Sequence, residues 1–264
     1  EALPSLMQDR SGFVAIRGSD LDRLTATDLE AMRQWLQGRQ VKLPRKAPQL
    51  HQLEALDAIF TGLDDNNRAT VVMACGTGKT LVALWAAERR NCRNLLVLVP
   101  SLALVRQMLH EWLRETATEN LTFLCVCSAP TVAKGADDLI VHQADLDFPV
   151  TTDSVYVRKF LTSSFEGVKV VFSTYQSAHV VAEGMDQAFD LGIFDEAHKT
   201  AGRTGTHFNF ALDDNNLPIL KRLFFTATPR HYDIRKKDKE SESTLVYSMD
   251  RPDVYGPVVY TLSF

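Results

Sequence analysis

Short, almost purely apolar segments alternate with segments of helical periodicity along most of the chain. The apolar runs predict strands near residues 69–74, 94–99, 121–127, 168–173, 191–195 and 223–226, and a strand-like segment at 257–264. The periodic segments predict helices near residues 49–60, 78–90, 102–112, 155–161 and 176–185. Strands that are apolar along their whole length are typical of parallel sheets covered by helices. The pattern therefore predicts an α/β fold with a doubly wound, mostly parallel sheet and helices on both faces.

Residues 1–46 have a different pattern. Thr27 and Glu30 have the spacing of a capping box, an apolar stripe follows at helical spacing, and Gly38 lies where a helix would end. Residues 33–46 contain five basic residues and no acidic one. We therefore expect residues 1–46 to form a helical linker or the end of a preceding domain, and residues 47–264 to form the main domain.

Composition excludes several classes of protein. The 264 residues are 45% hydrophobic and 23% charged, with a net charge of -4, which is typical of a globular protein and not of a disordered one. No uninterrupted apolar run approaches the length of about 18 residues that a membrane-spanning helix needs. The 4 cysteines are too few and too irregularly spaced for a disulfide framework or a zinc site. We expect reduced, buried cysteines in a cytoplasmic protein without a membrane partner.

A glycine-rich turn follows directly on the first predicted strand and opens the next helix. It reads Gly-Thr-Gly-Lys-Thr at residues 76–80. Such a turn presents a row of backbone N–H groups which, together with the helix N-terminus, suits an oligophosphate. Lys79 is expected to reach the β- and γ-phosphates, and the Thr80 hydroxyl is expected to bind Mg²⁺. The predicted phosphate-binding residues are Gly76, Thr77, Gly78, Lys79 and Thr80.

Two adjacent acidic residues, Asp195 and Glu196, end a later apolar strand. The carboxyl edge of a doubly wound sheet is the edge at which ligands bind. We predict that Asp195 holds Mg²⁺ through water and that Glu196 orients and deprotonates the attacking water. Lys79, Asp195 and Glu196 are therefore the predicted catalytic residues.

These motifs together resemble a known family. Gly-Thr-Gly-Lys-Thr at 76–80, Asp-Glu-Ala-His at 195–198 and Thr-Ala-Thr at 226–228 have the order and approximate spacing of the DEAH-type superfamily 2 helicases and translocases. The resemblance covers about residues 47–264 and implies a RecA-like P-loop NTPase domain that binds ATP and Mg²⁺ and couples hydrolysis to movement on nucleic acid. It also implies two further sets of roles. Gln52 would read adenine, and the residues that couple the phosphate site to the nucleic acid would be His198, Thr226 and Thr228.

Two other segments, residues 99–107 and 173–176, resemble nucleic-acid motifs of the same family. Each joins a strand end to a helix N-terminus, where N–H and hydroxyl groups suit a backbone phosphate. The candidate contacts are Ser101, Arg106 and Thr174. Simple helix capping by the hydroxyl groups is an equally compatible interpretation.

Within the superfamily, residues 73–80, 194–199 and 249–257 look most like bacterial restriction and phage-defence motors. That resemblance implies a DNA helicase or double-stranded DNA translocase, with a second RecA-like lobe and nuclease or methyltransferase domains outside these residues. An RNA helicase with the same ATP chemistry is one alternative, and a nucleotide-binding switch without motor activity is another. Because the second lobe would supply an arginine finger, the isolated chain is expected to hydrolyse ATP roughly 10³- to 10⁵-fold more slowly.

Overall fold

The computed structural model describes residues 24–38, 45–127, 148–203, 208–230 and 246–263. The chain divides into two units, Glu1–Lys46 and Ala47–Phe264. The assignment of the first unit as a linker or the end of a preceding domain stays a prediction.

In the first unit, helix α1 (Ala26–Leu36) begins two residues earlier than predicted. Its cap is Thr25, whose hydroxyl accepts the N–H of Asp28 at 3.2 Å while the Asp28 carboxylate accepts the N–H of Thr25 at 2.9 Å. The predicted cap at Thr27 is therefore wrong. The reason is that Asp28 stands three residues after Thr25 and completes a capping box there, whereas Glu30 forms an ion pair with Arg33 at 3.0 Å.

The second unit is built on a sheet of eight strands. The strands are β1 (Arg68–Met73), β2 (Asn94–Val99), β3 (Leu121–Val126), β4 (Val150–Thr151), β5 (Val168–Thr174), β6 (Phe189–Phe194), β8 (Ile219–Thr226) and β10 (Val258–Leu262). Their order is β10-β1-β8-β6-β2-β5-β3-β4, and every neighbouring pair is parallel. The predicted parallel sheet is confirmed, and all eight strands have their carboxyl ends at one edge, the carboxyl edge.

Three short strands were not predicted. Strand β4 contributes two residues at the end of the sheet, while β7 (Gly202–Arg203) and β9 (Val246–Tyr247) form a separate antiparallel pair. Strands of two residues are too short to show a hydrophobic period, so the sequence pattern carries no signal for them.

Helices cover both faces of the sheet, as predicted. The helices of this unit are α2 (Leu50–Asp65), α3 (Lys79–Arg89), α4 (Leu102–Glu115), α5 (Ser154–Thr162), α6 (Ala178–Gly184) and the short α7 (Pro252–Tyr255). Strand β2 shows how the faces separate: Val97 packs with α2, α3 and α4 in one core cluster, and its neighbours Leu96 and Leu98 pack with α5 and α6 in the other. No described helix combines the length and the apolar character that are needed to cross a lipid bilayer.

Candidate nucleotide-binding site

The loop between β1 and α3 adopts the conformation that its glycines allow. Gly76 has φ 82° and Gly78 has φ 84°, in the left-handed region that costs a residue with a Cβ about 1–2 kcal/mol. A Cβ on Gly76 would meet no atom within 4 Å, so this side of the loop is open. Helix α3 starts immediately after Gly78. The loop and the N-terminus of α3 therefore have the backbone conformation of a glycine-rich phosphate-binding turn, and a phosphate bound there stays a prediction.

Lys79 lies between the ends of β1 and β6. Its Nζ donates a hydrogen bond to the carbonyl of Met73 at 3.3 Å and lies 3.8 Å from Oε1 of Glu196. Only 10% of the Lys79 side chain is exposed. The next residue, Thr80, is partly buried in the first turn of α3. The predicted phosphate-binding lysine and the predicted general base are thus neighbours, although they lie far apart in the sequence.

Gln52 lies against the phosphate loop and is buried. Its Nε2 donates to the carbonyl of Thr77 at 3.0 Å, and its Oε1 accepts the N–H of Gln49 at 2.8 Å. The Thr77 hydroxyl in turn donates to the carbonyl of Ala74 at 2.7 Å. In this structure the amide of Gln52 supports the loop and the start of α2, and a role in reading adenine stays a prediction.

Asp195 directly follows β6 at the carboxyl edge and is buried. Its N–H donates to the carbonyl of Leu98 at 2.9 Å. Burial, and next the charge of Glu196, raise the pKa of the Asp195 carboxyl to about 6, although Lys79 and His198 act in the opposite direction. A carboxylate that is destabilised by burial gains from a nearby cation. The environment of Asp195 therefore fits the predicted role of holding Mg²⁺.

Glu196 contacts both the phosphate loop and the residues predicted to couple it to nucleic acid. His198 Nδ1 lies 3.4 Å from Oε2 of Glu196 and 3.1 Å from the Thr226 hydroxyl, which also accepts the N–H of Thr228 at 3.2 Å. The hydrogen bond from His198, followed by the charge of Lys79, lowers the pKa of Glu196. Contacts therefore run without a break from Lys79 through Glu196 and His198 to Thr226.

The three candidate nucleic-acid contacts lie near the carboxyl ends of β2 and β5, which are neighbours in the sheet. Ser101 is the N-cap of α4, where its Oγ accepts the N–H of Leu104 at 3.4 Å. Arg106 is exposed on the same helix. Thr174 is buried, and its hydroxyl donates to Oγ of Ser177 at 3.1 Å. Capping thus accounts for the Ser101 hydroxyl, and Thr174 faces inward in this structure.

Sequence reasoning missed two buried aromatic residues that contact the site. The Trp112 indole N–H donates to the carbonyl of Thr80 at 3.1 Å, and the Tyr175 hydroxyl donates to the carbonyl of Asp195 at 2.7 Å. Their partners are backbone atoms of distant segments. The only sequence signals were the place of Trp112 on an apolar helix face and that of Tyr175 inside the segment 173–176.

Known proteins resemble this chain over most of its length. Residues 30–231 match the model of the family described as "Type III restriction enzyme, res subunit". A probable helicase of African swine fever virus is 31% identical over 186 residues, which are 69% of this chain and 19% of the viral protein. The same viral protein from a second isolate is 31% identical over 183 residues. The chain thus spans about a fifth of the length of the curated relatives it matches.

Two solved structures show the same fold. One is the ATP-dependent Type ISP restriction-modification enzyme LlaBIII bound to DNA, with a TM-score of 0.68 and 29% identity over 83% of this chain and 15% of that chain. The other is a nuclease-deletion mutant of the Type ISP enzyme LlaGI in complex with a DNA substrate mimic, with a TM-score of 0.63 and 30% identity over 83% of this chain and 20% of that chain. The chain therefore belongs to the family of the type III restriction enzyme res subunit and is a RecA-like domain of the superfamily 2 helicase type.

Proposed function

We propose that this chain is the ATP-binding and ATP-hydrolysing lobe of a DNA helicase or double-stranded DNA translocase from a restriction or phage-defence protein. The observation that carries the proposal is the unbroken set of contacts from Lys79 through Glu196 and His198 to Thr226. One end of this set is the phosphate loop, and the other is the end of β8. A change at the phosphates is therefore passed on through side chains already in contact.

ATP and Mg²⁺ are the proposed ligands of the carboxyl edge. The N–H groups of residues 76–80 and the Lys79 ammonium would hold the phosphates, and the groups that would hold Mg²⁺ are the Thr80 hydroxyl and the Asp195 carboxylate. When bound, Mg²⁺ would neutralise negative charge that develops on the phosphates. The open side of the loop at Gly76 and the buried carboxylate of Asp195 support this assignment.

Glu196 is the proposed general base. Because its pKa is lowered by His198 and Lys79, its side chain is a carboxylate at neutral pH and can accept a proton. His198 holds one carboxylate oxygen of Glu196 and Lys79 lies near the other. The side chains of the chain itself therefore keep the proton acceptor directed toward the phosphate loop.

DNA is the proposed track, favoured over RNA, because both restriction enzymes with similar structures were solved with DNA or a DNA mimic. Contacts would come from the ends of β2 and β5 through Ser101, Arg106 and the segment around Thr174. In the whole protein we expect a second RecA-like lobe, and nuclease or methyltransferase domains, beside the lobe formed by residues 47–264. Residues 1–46 would then join this lobe to another domain.

ATP turnover tests the proposal. The rate is measured with the full-length protein alone and with duplex DNA, single-stranded DNA and RNA. Strong stimulation by duplex DNA supports a translocase of the restriction type, whereas stimulation by RNA alone replaces it with an RNA helicase. If no nucleic acid changes the rate of ATP turnover, the result contradicts a motor function and supports a nucleotide-binding switch.

A further inference from the structure

Tyr175 connects the two ends of the proposed machinery. It is fully buried and follows Thr174 at the carboxyl end of β5. Its hydroxyl donates a hydrogen bond of 2.7 Å to the backbone carbonyl of Asp195. That carbonyl belongs to the peptide bond between Asp195 and Glu196. The hydrogen bond therefore holds the peptide plane that sets the direction of the Glu196 backbone.

This peptide needs such a restraint. Glu196 has φ 49° and ψ 45°, in the left-handed region that is unfavourable for a residue with a Cβ. A backbone of this kind persists only when its surroundings hold it, and such residues cluster at functional sites. On one side, the N–H of Asp195 is held by the carbonyl of Leu98. On the other, the Tyr175 hydroxyl holds the carbonyl of Asp195, so loss of that bond would free the Glu196 peptide to turn.

The segment that carries Tyr175 also contacts the loop after β2. Gln176 Nε2 lies 3.5 Å from the carbonyl of Pro100, the residue before Ser101. The Tyr175 ring lies 6.3 Å from the Phe194 ring and 5.8 Å from the Phe208 ring, measured between centroids. Close packing around a fully buried ring favours a single rotamer, so the ring moves with the backbone that carries it. A displacement of the β5 end therefore reaches the Asp195 carbonyl through a rigid side chain.

We infer that Tyr175 is a positioning residue that transmits nucleic-acid binding at the ends of β2 and β5 to the carboxylate of Glu196. The inference rests on the proposed function, because it needs both a nucleic acid at these strand ends and hydrolysis at Glu196. A buried tyrosine hydroxyl requires an acceptor in any case. A purely structural hydroxyl would affect stability, whereas a transmitting one affects the stimulation of ATP turnover.

Tyr175→Phe in the full-length protein separates these roles, because it removes the hydroxyl and keeps the ring. We expect the KM for ATP and the duplex DNA concentration for half-maximal stimulation to stay within about twofold. Unstimulated turnover should fall less than stimulated turnover, because the freed Glu196 peptide affects both rates but only the stimulated rate depends on transmission from the nucleic acid. The DNA-stimulated kcat should fall about five- to tenfold, the scale of one hydrogen bond. The matched control is Tyr255→Phe, since Tyr255 is equally buried and its hydroxyl lies 3.0 Å from the Thr200 hydroxyl.

The outcomes are distinct. A selective loss of stimulated kcat in Tyr175→Phe, absent from Tyr255→Phe, supports the inference. Equal stimulation in Tyr175→Phe and wild type overturns the inference. An equal loss of stimulated kcat in Tyr175→Phe and Tyr255→Phe also overturns it, as does a fall in the unstimulated turnover of Tyr175→Phe as large as the fall in its stimulated turnover. Wild-type turnover that no nucleic acid stimulates overturns the proposed function and this inference with it.

Hydrogen exchange gives a second readout that does not depend on turnover. Amides in the peptide that spans residues 189–200 should change their exchange when duplex DNA is added to the wild type. In Tyr175→Phe this change should be lost while DNA still binds. An unaltered DNA-dependent change in Tyr175→Phe would overturn the inference.

Discussion

Nδ1 of His198 lies 3.1 Å from the hydroxyl oxygen of Thr226, and this contact joins the loop after β6 to the end of β8. Thr226 is completely buried, and the same hydroxyl oxygen accepts the N–H of Thr228 at 3.2 Å. One hydroxyl group thus holds the histidine that contacts Glu196 and the start of the loop that leaves β8. The side chain of Thr226 is therefore the point at which the phosphate site and this loop meet.

Thr226→Val should uncouple the phosphate site from the loop that leaves β8 without loss of nucleotide binding. Because valine keeps the branched shape and removes the hydroxyl, ATP affinity should stay within about twofold while DNA-stimulated turnover falls about tenfold, the scale of one or two hydrogen bonds. Thr70→Val is the matched control, since Thr70 is buried in β1 and donates to the carbonyl of Tyr255 at 2.8 Å. Stimulated turnover that falls equally in both variants would contradict a specific role for Thr226.

Lys79→Ala should abolish ATP binding. The variant removes the ammonium group that lies 3.8 Å from Glu196 at the start of α3, and a charge-assisted contact to phosphate is among the strongest that a side chain makes. Binding is measured by calorimetry or with a fluorescent ATP analogue. Lys221→Ala serves as the control, because Lys221 donates to the carbonyls of Leu63 and Asn66, away from the loop. An unchanged ATP affinity in Lys79→Ala would show that the loop is not the phosphate site.

Glu196→Gln should keep ATP binding and lose turnover. Glutamine retains the shape of the side chain and the contact with His198 but cannot accept the proton, so kcat in the full-length protein should fall about 10²- to 10⁴-fold. Single-turnover hydrolysis measures this loss, and Glu166→Gln, an exposed carboxylate just before β5, is the control. If Glu196→Gln hydrolyses ATP at the wild-type rate, another group is the general base.

Two glycine substitutions separate backbone strain from contact with Gln52. Gly76→Ala and Gly78→Ala both place a Cβ at positive φ, which costs about 1–2 kcal/mol of unfolding free energy. A Cβ on Gly78 would also lie 2.2 Å from Nε2 of Gln52 and displace its amide from the carbonyl of Thr77, whereas a Cβ on Gly76 meets nothing. We therefore expect Gly78→Ala to be the more destabilising by about 1 kcal/mol in urea unfolding.

A Gln52→Ala background provides the check on that glycine pair. With the Gln52 amide removed, the two glycine substitutions should cost the same unfolding free energy. A difference between Gly76→Ala and Gly78→Ala that persists in this background would mean that the Gln52 contact is not its cause.

Cys75 should be the one thiol that reacts quickly in the native protein, and ATP with Mg²⁺ should protect it. Cys75 is exposed in the phosphate loop, so the expectation of buried cysteines is wrong for this residue, whereas the other three cysteines are buried. Burial raises the pKa of Cys92 to about 11 and that of Cys127 to about 12, and it also raises the pKa of Cys125. Thiolate is the reactive form, so at pH 8 these three should react at least about 100-fold more slowly.

Maleimide labelling followed by peptide mass spectrometry measures the four rates. Cys75→Ser should remove the fast phase. Equal labelling of Cys75 with and without ATP and Mg²⁺ would contradict a nucleotide bound over this loop.

The local motifs of the site could be predicted because each is a continuous run with its own physical meaning. The glycines of residues 76–80 predict positive φ, and two acids after an apolar strand predict a ligand-binding strand end. Parallel strands share one carboxyl edge, so the sequence also predicted that both motifs meet there. The distance of 3.8 Å between Lys79 and Glu196 is the outcome of that rule.

Contacts between distant segments could not be predicted in the same way. The hydrogen bond from Tyr175 to Asp195 depends on the strand order, which places β5, β2 and β6 side by side. The hydrogen bond from Trp112 to Thr80 depends on the packing of helix α4 beside helix α3. Each has a backbone carbonyl as its acceptor, and carbonyls are identical for all residue types. The side-chain pattern therefore carries no record of the partner.

What the sequence determined by itself is the class of fold, its parallel sheet and the motifs at the strand ends, because hydrophobic period and glycine geometry are local properties. The tertiary structure alone decided the strand order, the two-residue strands and the buried aromatic contacts of the site. These features depend on which segments lie together in space, and that is set by packing of the whole chain and not by any single stretch of it.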